Sequence, residues 1–297
     1  MLHALLLPAL LSLPAAAGDG APAAIAWHKK VSPHFIVFHE SAWSPNSTSL
    51  ELERMYAAMR LNLAMFAPWM VKEKTKVYIY SSQQSYLAGE FAPPRWSKGL
   101  AFVSKKTIVV YDPEDQGKLK AVIAHELTHL YFEGYFAEKL KYPPQWLNEG
   151  LAVYMEESVF PDGGAWSRAL AYFPRERRIP FDSFFATSLD GITGDSRIAD
   201  WYLQSYGVVM YLYQPHKRVQ FKAFCDEVRD GETVDMALWK NYRAREGDDF
   251  GAKWTAWLDS WTAPSKGGLQ PRGPSASFNF KPVQLSSFTF TEFGKKR

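Results

Sequence analysis

The residues His125-Glu126-Leu127-Thr128-His129 carry more potential chemistry than any other five in the chain, with two imidazoles four positions apart and a glutamate between them. In an α-helix that spacing stacks the imidazoles one turn apart on a single face, where both nitrogens can reach one Zn²⁺ at about 2.0–2.1 Å. Glu126 lies close enough to handle the proton of a metal-bound water without being a ligand. Imidazole is a neutral nitrogen donor for a borderline-soft cation, and a carboxylate suits the base. The chemistry on offer is metal-assisted activation of water. The competing reading is a pair of surface histidines on an amphipathic helix, so the surroundings decide.

Those surroundings favour a buried helix. From Lys118 to Phe132 there is no Gly or Pro, and Leu119, Val122, Ile123, Leu127 and Leu130 follow helical spacing. Asp112-Pro113-Glu114-Asp115 supplies cap-type residues and first-turn acids ahead of it. Gly134 loosens the pattern and Pro143-Pro144 breaks it. A helix that is apolar on most sides is buried, and histidines and a glutamate buried there need partners, of which a metal is the economical one.

A second segment, Pro144 to Glu157, reads as another helix, with Pro144 suited to its first turn. Gly150 inside it costs about 1 kcal/mol against Ala, which predicts a close backbone approach to the His125–His129 helix. Glu149, 20 residues beyond His129, would then complete a His₂Glu set with the fourth position open to water. Open sites are catalytic, whereas structural zinc sites are closed and usually rich in Cys. The alternative for Glu149 is a solvated helix carboxylate.

Together, His125-Glu126-x-x-His129 and Trp146-Leu147-Asn148-Glu149-Gly150-Leu151-Ala152 resemble the gluzincin zinc metallopeptidases. The closest likeness is to the peptidase MA-like group, related to the M1 aminopeptidases and thermolysin-like enzymes. It extends over about residues 27–262, with the specific motifs confined to 118–157. The resemblance implies one Zn²⁺ per chain held by His125, His129 and Glu149, with Glu126 as catalytic base. It also implies a zincin-like α+β fold: a small α/β lobe with a mixed sheet and edge hairpin, then a mainly helical lobe bearing the HExxH helix.

Such enzymes need a donor for the oxyanion. The segment Trp201–Leu212 resembles the M1 helix that carries a tyrosine in this role, with Tyr202 at the matching position. Ser205 stands where M1 enzymes have Gly, and no Lys precedes the motif, so Tyr206 one turn on and His216 remain rivals. Core packing is the bland alternative for both tyrosines. Upstream, Trp96–Val103 and Thr107–Tyr111 read as a hairpin. In gluzincins the corresponding strand lies at the sheet edge and pairs with substrate backbone, which makes Gly99, Leu100 and Ala101 candidates for substrate binding. An ordinary strand with a glycine bulge is the alternative. The M1 amine-binding glutamate is absent from Gly99-Leu100-Ala101-Phe102, which weakens an aminopeptidase reading and leaves endo- and exopeptidase both open.

Composition bounds the rest. With 297 residues, 47% of them hydrophobic, the chain can bury a sizeable core. A formal charge of +3, evenly spread, argues against nucleic acid as a partner, and Arg175–Arg178 reads as a solvated loop. The expected partner is a peptide or protein substrate; nothing in the residues specifies an oligomeric state. Met1–Ala17 is Leu/Ala-rich, too short to span a bilayer and ends in small residues, so it reads as an export signal despite an n-region without Lys or Arg. The expectation is a periplasmic or secreted protein with no stable membrane insertion once that signal is removed. Cys225 is the single cysteine, so no intrachain disulfide forms.

The predicted organisation is a linker at 18–26, an α/β lobe at 27–116, a helical lobe at 117–262 and a Pro/Gly/Ser tail at 263–297. Within it, Phe35–Phe38 and Lys76–Tyr80 read as strands and 47–66 as a helix. His34 and His39 fall on opposite strand faces and read as non-ligands. Residues 161–200, rich in Pro and Gly, read as a long irregular excursion walling a cleft. Trp254, Trp257 and Trp261 predict a closing helix packed on the core. Two other classes share the motif: a degenerate peptidase fold acting as a binding scaffold, against which the intact Glu126 argues, and a zinc amidase acting on a non-peptide or cell-wall substrate.

Overall fold

A computed structural model of the chain describes residues 25–41, 46–95, 97–160 and 163–262. The expected export signal at 1–17, most of the expected linker at 18–26, Trp96 and the expected tail at 263–297 lie outside the described residues. The architecture is mixed α+β, with one five-stranded sheet in the N-terminal part and helices thereafter.

The strands are β1 (His28–Val31), β2 (Phe35–His39), β3 (Thr75–Tyr80), β4 (Gly99–Phe102) and β5 (Thr107–Tyr111). Their order across the sheet is β1-β2-β3-β5-β4. β2, β3 and β5 run parallel, and β1 and β4 are antiparallel to their neighbours, so β4 is an edge strand. The expected hairpin is present, its strands joined by a 3₁₀ turn at Val103–Lys105 with Lys106 left-handed at φ 48°. Period-2 alternation sorts the side chains. Phe35, Val37, Val77, Ile79, Ile108 and Val110 enter the main core, whereas Tyr80 and Val109 belong to a small aromatic cluster with Tyr86 on the opposite face.

The helices are α1 (Asn46–Leu63), α2 (Gln83–Ala88), α3 (Gln116–Ala137), α4 (Gln145–Glu157), α5 (Ala165–Ala171), α6 (Phe181–Phe184), α7 (Asp195–Leu212), α8 (Arg218–Asp230), α9 (Val234–Tyr242) and α10 (Asp248–Thr262). Among them α1 and α3 cover the main-core face of the sheet, and α4 lies between α3 and α7. No helix among the described residues is long and apolar enough to cross a membrane.

Two expectations need correction. The described part of the 161–200 stretch, from 163 on, is not irregular: it folds as α5, α6, two 3₁₀ turns and the start of α7. Buried side chains from the long helices hold it. Glu157 accepts from the Gly164, Trp166 and Ser167 amides at 2.9–3.1 Å and from the Ser167 hydroxyl at 2.6 Å. Gln204 exchanges two hydrogen bonds with the Ile179 backbone, at 2.7 and 2.8 Å. Trp254, second, is core, but Trp261 at the end of α10 is 39% exposed and stacks on Trp257. The helix ends on the surface, beyond reach of the core that its first turns meet.

Candidate active site

α3 begins where the sequence places it. Asp115 is its N-cap, accepting from the Gly117 and Lys118 amides at 2.9 and 3.1 Å and so satisfying two of the helix's orphan donors. From there the helix runs through the core, buried nearly all round at its centre, and carries His125, Glu126 and His129 inside at 2%, 1% and 6% exposure. After the Pro143-Pro144 break, α4 starts at Gln145 and presents Glu149, also buried, to the same point.

His125, His129 and Glu149 each offer one ligand atom, and those atoms all lie within 4.8 Å of one another. Glu149 Oε2 is 3.6 Å from His125 Nε2 and 3.8 Å from His129 Nε2. These spans are too long for good hydrogen bonds. They are about what two ligands keep when each sits ~2.0–2.2 Å from a shared tetrahedral ion. His125 Nε2 and Glu149 Oε2 are buried and have no hydrogen-bond partner, and Glu126 Oε1 is in the same position. Unanswered buried donors and acceptors are costly, and several pointing at one place fit a cation there. The donor set of two imidazoles and one carboxylate suits zinc.

The outer nitrogen of each histidine faces a carboxylate, and that of His125 is hydrogen-bonded to it. His125 Nδ1 donates to Glu156 Oε2 at 3.1 Å, and His129 Nδ1 lies 3.6 Å from Glu133 Oε1, which itself accepts from Asn148 Nδ2 at 2.8 Å. Carboxylates behind imidazoles fix the ring and leave the inner nitrogen free to ligate. Sequence reasoning missed both acids. The signal was available: Glu133 is four residues past His129, and Glu156 is seven past Glu149, two turns on along one helix face.

Burial and neighbouring charge set the protonation of this cluster. Burial alone would lower His125, but the Glu149 and Glu156 carboxylates outweigh it and push it up to about 10. Burial carries Glu126 up to about 8, Glu133 up to about 7 and His129 down to about 4. Burial would raise Glu149 too; the two imidazoles and the Tyr202 hydroxyl outweigh it and hold its carboxyl below the ordinary range.

The remaining sequence candidates separate. Tyr202 on α7 is buried, with its hydroxyl against the Glu149 carboxyl. Tyr206 faces elsewhere: its hydroxyl meets Ser167 Oγ at 2.8 Å, within the group gathered by Glu157. His216 is exposed, in a 3₁₀ turn after α7. His34 is paired with Glu53 at 2.6 Å, and His39 accepts from the Ser41 amide at 3.0 Å. Gly99, Leu100 and Ala101 form the edge strand β4, whose Gly99 and Ala101 look towards α3. A Cβ on Gly99 would stand 2.6 Å from Glu126 Cγ and 2.7 Å from Oε1, so glycine here is the room that Glu126 occupies.

Gly150 corrects another expectation. Its close approach is made to α7, not to α3: a Cβ there would lie 2.4 Å from the Ser205 carbonyl oxygen. The small residue in α4 serves the contact that brings Tyr202 over Glu149.

The fold thus brings two histidines and one glutamate, borne on paired helices beside a mixed sheet, to a point where they could hold a metal ion. The family model of the peptidase MA superfamily matches residues 60–260, well over half of the chain and inclusive of those residues. The chain belongs to the peptidase MA superfamily. Among curated proteins none matches it.

Proposed function

We propose that the protein is a zinc-dependent metallopeptidase that hydrolyses peptide bonds, with His125, His129 and Glu149 holding the ion. The observation that carries this reading is the convergence of the unanswered His125 Nε2 and Glu149 Oε2 on one point, with His129 Nε2 3.8 Å from that oxygen and the unanswered Glu126 Oε1 in the same buried cluster. A bound Zn²⁺ supplies Lewis acidity there, which polarises a carbonyl and acidifies water.

The chain's own groups do the rest. Glu126 takes a proton from the attacking water and delivers it to the leaving amine nitrogen. Burial raises its carboxyl, and a bound cation would favour the carboxylate, so the two influences on this group oppose each other. Tyr202 donates its hydroxyl hydrogen bond to the developing oxyanion. The contact of Tyr206 with Ser167 supports Tyr202 for that role. The edge strand Gly99–Phe102 lies beside Glu126 and receives the substrate backbone as an added strand, which aligns a peptide without demanding particular side chains. Gly99, Leu100 and Ala101 are its contact residues.

The test is metal content and turnover together. The purified wild type should hold about one zinc per chain and cleave a mixed peptide pool. Glu126→Gln should keep the zinc and the fold while turnover falls roughly 10²–10⁴-fold. A wild type that binds no zinc, or a Glu126→Gln protein as active as wild type, refutes the assignment.

A further inference from the structure

Tyr86 on α2 is fully buried, in the aromatic cluster on the sheet face away from the main core. Its ring packs against those of Tyr80 and Tyr111, with centroids 5.8 and 5.5 Å away. A buried tyrosine hydroxyl needs a polar partner. This one meets Ser97 Oγ at 2.5 Å, and Ser97 is itself fully buried.

The direction of that bond follows from counting protons. Ser97 has a single hydroxyl proton and donates it to the Gly99 carbonyl at 2.8 Å, because a carbonyl oxygen can only accept. Ser97 Oγ therefore accepts from Tyr86, and the chain runs from Tyr86 through Ser97 to Gly99. Burial, with the Glu126 charge adding to it, lifts the Tyr86 hydroxyl above its ordinary range, so it remains a donor well above neutral pH. Ser97 is held from behind as well, its amide donating to the Pro94 carbonyl at 3.0 Å.

The chain ends on the residue where slack would matter most. Gly99 opens the edge strand β4, which has β5 on one side and, among the described residues, no strand on the other. Without a side chain it cannot lock itself in place. Its backbone lies as near Glu126 as a glycine permits, since a Cβ would stand 2.6 Å from Glu126 Cγ. Glu126 is 1% exposed, and a close-packed interior transmits displacement, so a drift of Gly99 moves the wall against which that carboxylate rests.

We propose that Tyr86 and Ser97 are positioning residues of the hydrolytic site: their two hydroxyls fix the Gly99 carbonyl, and with it the strand that seats Glu126. The inference rests on the peptidase reading above and adds to that site two residues outside the metal-binding motifs.

The test uses the full zinc-loaded chain and a peptide that wild type cuts. Tyr86→Phe removes one hydroxyl and keeps the ring contacts, Ser97→Ala breaks both bonds, and Ser97→Thr keeps a hydroxyl in place. A shift of about 1 Å can cost roughly 10²-fold, so the slackened strand in Tyr86→Phe or Ser97→Ala should lower kcat roughly 10-fold per folded, zinc-loaded molecule. KM should stay within about twofold, as for an interaction made only in the transition state. Ser97→Thr should recover most of the loss. The double variant Tyr86→Phe/Ser97→Ala should lose no more than Ser97→Ala alone, because both hydroxyls act through one chain of bonds. Tyr86→Phe, which adds no atom, carries the test if Ser97→Thr misfolds. A second readout needs no metal: in the zinc-free chain, hydrogen exchange at the amides of 99–101 should quicken about 10-fold in Tyr86→Phe, with exchange in α3 unchanged. Wild-type kcat in both single variants, or losses that merely follow the unfolded fraction, overturn the assignment and leave the peptidase reading standing. A wild type that cleaves no peptide removes the peptidase reading, and this inference with it.

Discussion

Glu149 and Glu157 lie two turns apart on α4, both nearly out of water at 3% and 6% exposure, and their surroundings are opposite. Glu157 is saturated: three backbone amides and a hydroxyl donate to it, and the start of α5 hangs from them. Glu149 keeps a buried oxygen with no hydrogen bond, facing two imidazoles at 3.6 and 3.8 Å. A buried charge must be compensated, so each acid reports what compensates it. For Glu157 the answer lies within the chain and the role is architectural. For Glu149 the chain supplies only part of it, and a cation held with the two imidazoles would supply the rest.

The largest expected effect follows directly. Glu149→Ala should take zinc content from about one per chain to near zero, measured by atomic emission, with the circular dichroism of the helices retained. Retention of stoichiometric zinc would show that the two acids are equivalent after all. Glu157→Ala should behave the other way. It strands several buried donors, each costing about 1–3 kcal/mol, so urea unfolding should show a loss of roughly 3 kcal/mol or more while zinc content stays at one. Loss of zinc with unchanged stability would reverse the two assignments.

The same contrast explains what was legible in the residues. The candidate metal site is made of two helices whose patterns are local: four-residue spacing for the histidines, a cap at Asp115, a double proline before α4. Helical phase is periodic, so position along the chain fixes position in space. Strands β2, β3 and β5 were legible for the same reason, with a period of two. Residues 161–200 were not. Their order depends on Glu157, Gln204 and Arg177–Asp200, pairs that meet across gaps no local pattern encodes. The prolines and glycines there mark where turns fall without saying what pins them. Gly150 was read correctly as a close approach and assigned to the wrong helix, because a glycine announces that something is near without naming it.

Gly99→Ala probes the boundary between site and scaffold. The added methyl would press on Glu126 at 2.6–2.8 Å, and Glu126 is hemmed in within the core. Displacing a catalytic group by about 1 Å can cost roughly 10²-fold, so kcat/KM should fall by about that factor while zinc content and unfolding midpoint barely move. If activity is unchanged, Glu126 has slack in the fold and the edge strand does not position it.

Gly150→Ala is the smallest effect and the most discriminating about α4. Alanine favours a helix over glycine by about 1 kcal/mol, which would stabilise α4 taken alone. Against that, the new Cβ would stand 2.4 Å from the Ser205 carbonyl oxygen and 2.8 Å from Val209 Cγ2. Backbone cannot swing aside as a side chain does, and overpacking of this kind costs about 1–3 kcal/mol. The net expectation is a loss near 1 kcal/mol in urea unfolding. Because α7 must retreat to accept the methyl, Tyr202 retreats from Glu149 with it. The variant should therefore lose more activity than its stability predicts, and a purely proportional loss would mean that α7 contributes packing but not chemistry.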